Sequence, residues 1–438
     1  MTGAEARAWL LARARELNVD LEVLGTSQRR LSVAARDGKP SDISLASSGG
    51  IGLRVIKDGR TGYAYSEELT PDALGWALDE AIGNAELQEP GLKASLPQGS
   101  ALGQHDLLDE GLSAPLEDKK DSAIALERRI SADDRVQALQ GARYSETQSE
   151  LELGSTRGVS GSYRSGIAMH TVGIVMRQDD SVKQGSSFDL HAGFHQLDPG
   201  RTAMEALDKV GRHLGARPLK TGRRRAILEP GVTATVLGLL QFALSGKNLA
   251  EGRSLLAGRL GEKVASELVT IVDDPDYPGG LGNRPFDDEG TIGKRLVLVE
   301  RGVFRSFLHN SETAAQTGQA NTGHAQRSYR SPLGVGASNL ILEAGTGVEL
   351  GSGVIVTDVM GVHAGANPIS GDVSVQAMGL EIVDGEQVPV DNFAISFSLL
   401  GLLQRIEQVG NDPDWHPGAG GLILAPSVAL GDLSFAGS

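Results

Sequence analysis

The 438-residue chain contains no cysteine. That absence removes disulfide staples, a thiolate nucleophile and every cysteine-based metal site. Aromatic residues make up only 4% of the sequence, and no window holds the roughly 18 consecutive apolar residues of a membrane-crossing helix. Cations are also in deficit, with 41 Lys and Arg against 56 Asp and Glu and a net charge of -15. The densest basic run is the three arginines at 223–225. A nucleic-acid partner is therefore disfavoured, because neutralising phosphates needs clustered cations. The opening "MTGAEARAWLLARARELNVD" is charged throughout, unlike a secretory leader, and together with the missing cysteine it predicts a cytoplasmic protein.

Glycine, by contrast, is abundant: 58 residues, about twice the usual share of about 7%. With so few aromatics, this points to many turns and closely approaching strands. A helix is predicted to about Asn18, then an antiparallel meander turning at Asp37-Gly38 and Asp58-Gly59. Thr70 and Pro71 cap a second helix running to about Leu87. Residues 89–115 lack periodicity and read as a long connection. A helix over 116–130, strands over 136–195 and a helix over 199–214 follow. The apolar segment "GVTATVLGLLQFALSGKNLAEG" then reads as one long helix, with further short helices near 311–317 and 396–405. Helices and strands are segregated rather than alternating, which predicts an α+β fold. We expect two domains: an N-terminal α+β domain over 1–218, with an antiparallel sheet and flanking helices, and a strand-rich C-terminal domain over 219–438.

Few side chains suggest catalysis. His191 and His195 have metal-ligand spacing for a helix, but their surroundings alternate like a strand, which would hold the rings about 13 Å apart at about 3.3 Å per residue. "DDPDYPGG" and "FDDEG" lack the calcium-loop spacing, so Asp273, Asp274, Asp287 and Asp288 are expected to serve turns and caps. "GGIGLR" at 49–54 opens no helix and fails as a dinucleotide fingerprint. Ser370, His363 and Asp372 could be drawn as a triad, but no strand-turn-helix elbow surrounds the serine. The stretch "HAGANPISGDVSVQAMGLEIVDGEQVPV" over 363–390 instead offers glycines and neutral hydrogen-bonding groups suited to backbone recognition.

Three segments, "GIGLRVIKDGRTGYAYSEELTPDAL", "PFDDEGTIGKRLVLVERGVFRSFLHNSETAAQTGQANTGHAQRSY" and "NPISGDVSVQAMGLEIVDGEQVPV", carry a resemblance to the TldD/PmbA (TldD/TldE) family over nearly the whole chain. The resemblance implies a subunit of a cytosolic zinc peptidase built from two related chains. The TldD-like chain carries HExxxH, in which two histidines hold zinc and the glutamate activates water. Here the matching positions are Gln241, Phe242 and Gly246, so this chain resembles the TldE/PmbA half. It is expected to hold no cofactor, zinc belonging to a TldD-like partner in a heterodimer, and to help enclose extended or unfolded peptides. Asn321, His324, Arg327, His363, Asn367, Ser370 and Gln376 are the candidate peptide-binding residues. A stand-alone metallopeptidase using scattered histidines such as His309, a DNA-linked regulator and a homodimeric peptide-binding scaffold are the competing readings.

Overall fold

The computed structural model describes residues 1–88, 94–99, 101–349, 351–418 and 420–437. Helices α1 (Gly3–Glu16), α2 (Pro71–Glu86), α3 (Leu116–Ser131) and α4 (Pro199–Gly211) accompany strands β1 (Asp20–Arg36), β2 (Lys39–Lys57), β3 (Arg60–Ser66), β4 (Ala101–Asp106), β5 (Val136–Ser155), β6 (Ser160–Gln178) and β7 (Ser181–His191). These strands form one sheet in the order β3-β2-β1-β5-β6-β4, with β7 also on β6. All pairings are antiparallel except β4 with β6. The hairpin turns lie where the sequence predicts them. Asp37 and Gly38 have φ of 53° and 69°, and Asp58 and Gly59 have 51° and 75°. Two successive positive φ values match the right-handed twist of the flanking strands.

Side-chain period fixes what each face of this sheet meets. Leu21 and Val23 pack with Leu10 of α1 and Leu74 and Leu78 of α2, while further along β1 Leu31 and Val33 pack with Ala123 of α3. Glu22 and Leu24 point the other way. There Leu24 meets Phe286, a residue of the C-terminal half.

That half comprises strands β8 (Arg217–Pro218), β9 (Gly222–Leu228), β10 (Ile271–Asp273), β11 (Leu296–Glu300), β12 (Val303–Phe304), β13 (Ala325–Gln326), β14 (Gly334–Val335), β15 (Asn339–Leu342), β16 (Gly353–Met360), β17 (Asp372–Val383), β18 (Glu386–Ser398), β19 (Ile406–Val409), β20 (Asp414–Gly418), β21 (Gly421–Ala425) and β22 (Val428–Ala436). Its helices are α5 (Pro230–Leu244), α6 (Gly246–Ala250), α7 (Ser311–Thr317), α8 (Val362–Gly365) and α9 (Leu399–Gln404). One sheet runs β12-β11-β10-β15-β21-β20. Another runs β19-β22-β9-β16-β17-β18-β8, and β22 also pairs with β18, closing five strands on themselves. The apolar core of this half gathers around α5. The fold is thus α+β, built mainly of antiparallel pairs.

Several expectations need correction. The long apolar helix does not form: α5 stops at Leu244 after 15 residues, and α6 is a separate element of 5 residues. Ser245 between them is extended (φ -71°, ψ 123°) and bridges to Leu308. Part of the connection over 89–115 is structured, since β4 adds to β6 and a 3-10 turn spans Glu110–Ser113; 89–93 and 100 lie outside the described residues. The strands expected over 136–195 are β5, β6 and β7, but β7 ends at His191, leaving His195 in a 3-10 turn. The three arginines at 223–225 sit on β9, each facing a carboxylate of Asp432, Glu381 or Glu407.

Candidate functional site

The region that would carry a metal centre is built around the α5 to α6 break. Gly246 N donates to the Leu308 carbonyl at 2.8 Å, and Leu308 N donates to the Leu244 carbonyl at 2.9 Å. These bonds draw position 246 against the segment bearing His309. A Cβ at 246 would stand 2.6 Å from the Leu308 oxygen and 2.6 Å from His309 Cε1, with Nδ1 nearer still. Position 246 therefore accommodates glycine alone.

His309 itself is buried. Its Nδ1 pairs with Thr313 Oγ1 at 3.1 Å, and its Nε2 has no partner. Burial, with a smaller contribution from nearby His324, pushes its pKa down to about 4, so the ring is neutral. Gln241 is 7% exposed with Oε1 unpartnered. A Cβ at Gly420 would lie 2.7 Å from Gln241 Nε2, and Gln326 Nε2 donates to the Gly420 carbonyl at 3.4 Å. Two glutamines thus close on one glycine. Phe242 points elsewhere, under the Arg253 guanidinium at 5.9 Å.

These donors do not fit zinc. A neutral amide at 241, an aromatic ring at 242 and no side chain at 246 supply neither anionic nor imidazole ligands in the tetrahedral set the metal favours. His324 is committed to Asp273 Oδ2 at 2.9 Å and Thr322 Oγ1 at 2.8 Å. Asp273 in turn accepts from Ser338 N at 2.8 Å and Ser338 Oγ at 2.6 Å. Among the described residues no group of three or more His, Asp or Glu side chains is placed to hold a metal.

In the segment over 321–327, expected to supply peptide-binding groups, the charged side chains turn inward. His324 is 1% exposed, and the Arg327 guanidinium donates to Glu22 Oε1 on β1 at 2.8 Å. Asn321 Nδ2 donates to Thr291 Oγ1 at 3.1 Å, and its Oδ1 accepts from Gly323 N. The second group lies elsewhere, where β16 turns into β17. His363 is exposed on α8; Asn367 Oδ1 accepts from Ile369 N and Ser370 N at 3.0 and 3.2 Å. Ser370 Oγ donates to Asp372 Oδ2 at 2.8 Å, with no histidine between them, so the triad is not assembled. Gln376 is exposed on β17. No hydrogen bond among the described residues joins the two groups.

Sequence reasoning missed a buried ionic cluster where the first sheet meets the C-terminal half. Arg54 Nη1 lies 2.5 Å from Glu289 Oε1 and 3.7 Å from Glu22 Oε1, every partner at most 1% exposed. Burial opposes the charged guanidinium, but Glu22 and Glu289 outweigh it and keep Arg54 protonated. Asp288 Oδ2 accepts from Arg327 N at 2.7 Å. Asp287 does serve a turn, accepting from Glu289 N and Thr291 N, while its other oxygen takes Ala325 N. Arg54, Arg284 and Arg327 face Glu22, Asp287, Asp288 and Glu289, so one carboxyl is in excess. Burial, with Glu289 beside it, pushes Asp287 up to about 7. No local signal marks this cluster, because Arg54 and Glu289 are 235 positions apart.

A cavity of about 310 Å³ opens beside the cluster, between Ser149 and Tyr163 of the first sheet and Gln326, Ser338 and Leu422 of the second half. It reaches Gln326, and through Gly420 it adjoins Gln241.

Family models match this architecture along its length: PmbA/TldA metallopeptidase domain 1 over residues 21–85, the central domain over 109–214 and the C-terminal domain over 221–437. The chain belongs to the PmbA/TldD metallopeptidase family. Within it, the Metalloprotease PmbA of Escherichia coli O157:H7 is 26% identical, covering 95% of this chain and 92% of that one. A metalloprotease of Methanothermobacter thermautotrophicus is 29% identical over 89% of this chain and 87% of its own. The crystal structure of TldE from Thermococcus kodakarensis superposes with a TM-score of 0.85 at 25% identity, covering 98% of this chain and 100% of that one. A PmbA/TldD chain whose position 246 cannot carry a ligand is thereby placed beside relatives named as metalloproteases.

Proposed function

We propose that this chain is the non-catalytic, PmbA/TldE-like subunit of a TldD/TldE-type zinc metalloprotease. It pairs with an HExxxH-bearing TldD-like subunit, divides near residue 218 into two domains, works in the cytoplasm and helps enclose extended or unfolded peptides for proteolysis and peptide maturation. The observation that carries this reading is Gly246 packed against His309 and the Leu308 carbonyl, where a metal ligand would have to stand. The cavity at Gln326, whose lining mixes neutral polar residues such as Ser149, Asn283, Gln326 and Ser338 with the charged Glu150, Arg284, Asp288 and Arg327, suits an extended peptide because such a chain presents N–H and C=O groups in need of partners.

The test is to express this chain alone and with an HExxxH-bearing relative, then measure bound zinc and cleavage of an unfolded peptide. The expected result is zinc and cleavage only in the mixed sample. Stoichiometric zinc with turnover by the chain alone would overturn the proposal in favour of a stand-alone metallopeptidase. Peptide capture by a homodimer, with no gain on adding the relative, would favour a protease-independent scaffold.

A further inference from the structure

The largest cavity described, about 870 Å³, lies at the outer edge of β3 and shares Arg327 with the smaller cavity at Gln326. Among the described residues β3 pairs only with β2, and no described strand lies on its other side. α2 covers one face of this edge, because a Cβ at Gly62 would clash with the carbonyl of Ala81. The segment over 329–332 covers the opposite face, since a Cβ at Gly52 would stand 2.5 Å from the Tyr329 oxygen. A slot remains between two walls, with a strand edge as its floor.

The floor can accept a strand. Asn84 Nδ2 donates to the Tyr63 carbonyl at 2.9 Å, so this carbonyl faces away from β2 and an added strand takes it over from the Asn84 amide. Tyr65, two residues on, turns its backbone groups the same way. An added strand would send alternate side chains to the α2 wall and to the 329–332 wall.

Both walls have the chemistry of a cation site. On one, Arg330 stacks on Tyr329 at 5.2 Å and pairs with Glu67, which also accepts from Tyr329 Oη at 2.8 Å. Tyr65 meets Tyr329 edge-on at 6.0 Å. On the other wall, Trp76 is 64% exposed, with Glu80 one helical turn along the same face of α2. The first wall holds a guanidinium between an aromatic ring and a carboxylate; the second offers ring and carboxylate without a cation. Among the described residues neither Glu80 nor Glu68, which also lines the slot, forms an ion pair.

We propose that this slot binds an extended peptide segment by strand addition to β3, with an Arg or Lys side chain seated on Trp76 against Glu80. The site lies on this chain alone and needs neither a metal nor a partner. It deepens the reading of the chain as a peptide-handling subunit, but its test reads binding by the isolated chain and is independent of cleavage.

The probe is a labelled, end-blocked pentapeptide alternating Thr and Arg, with two controls: the same peptide with Glu for Arg, and one with a central Pro that cannot add to a strand edge. Fluorescence polarisation on the full chain should show saturable binding of the Arg peptide only. Trp76→Ala and Glu80→Lys should each weaken it about tenfold, with unchanged thermal unfolding because both positions are on the helix surface. No saturation by the Arg peptide, equal binding of the Pro peptide, or full affinity in both variants would overturn the proposal.

Discussion

Glu22 and Arg327, 305 positions apart, form a fully buried ion pair at 2.8 Å that joins the first sheet to the C-terminal half. Removing one partner of such a pair leaves the other charged and desolvated. Glu22→Gln is therefore expected to cost about 3 kcal/mol in urea unfolding, with a native circular-dichroism spectrum at low denaturant. A cost below about 0.5 kcal/mol, the range of ordinary surface changes, would show that the cluster does not fasten the two halves.

Gly246→Ala should also destabilise, by about 2 kcal/mol, since overpacking forces backbone shifts; the built Cβ meets a carbonyl oxygen at 2.6 Å. The readout is the unfolding midpoint. More directly, the triple change Gln241→His, Phe242→Glu and Gly246→His should bind no zinc by elemental analysis, because the restored ligand at 246 has no room.

The pH dependence of stability has a definite sign at His309. Its folded-state pKa is lowered from the usual 6.5 to about 4 by burial, helped by His324. The unfolded chain thus takes up a proton before the folded one does. Stability from this group is complete above about pH 6.5 and is lost as pH falls towards 4. His170 and His213, likewise lowered to about 4 mainly by burial, act in the same direction. Asp287, raised to about 7, acts oppositely, its contribution falling as pH rises from about 4 to 7. Comparing the chain with His309→Asn, whose amide can still reach Thr313, isolates the histidine. The variant should lose less stability between pH 7 and 4; an identical slope would refute the assignment.

Ser370→Ala is expected to leave peptide cleavage by this chain mixed with an HExxxH-bearing relative unchanged, because Ser370 Oγ is bonded to Asp372 rather than to an imidazole. A steady-state assay of the mixed sample decides this, and a large loss of kcat would reinstate a serine nucleophile.

What the sequence made legible was local. The Asp-Gly turns, the Thr70 cap with Pro71 and the helix at Ser311–Thr317 depend on neighbours within a few residues. The end of α5 was illegible because its cause, the bridge from Ser245 to Leu308, lies more than sixty positions away along the chain. β4 escaped notice because it is a lone strand, mostly exposed and added in parallel to β6. For the candidate site, Gln241, Phe242 and Gly246 were found through the family resemblance. The inward turn of His324 and Arg327 was not, since their partners Asp273 and Glu22 are remote in sequence.

The packing at position 246 also constrains the substitutions open to this chain. A variant carrying a ligand there would first need a smaller side chain at 309 and a displaced Leu308 carbonyl; the reverse order passes through a crowded, poorly folded intermediate. The barrier to a ligand at this position is thus steric, set by two neighbouring groups rather than by the identity of residue 246 alone.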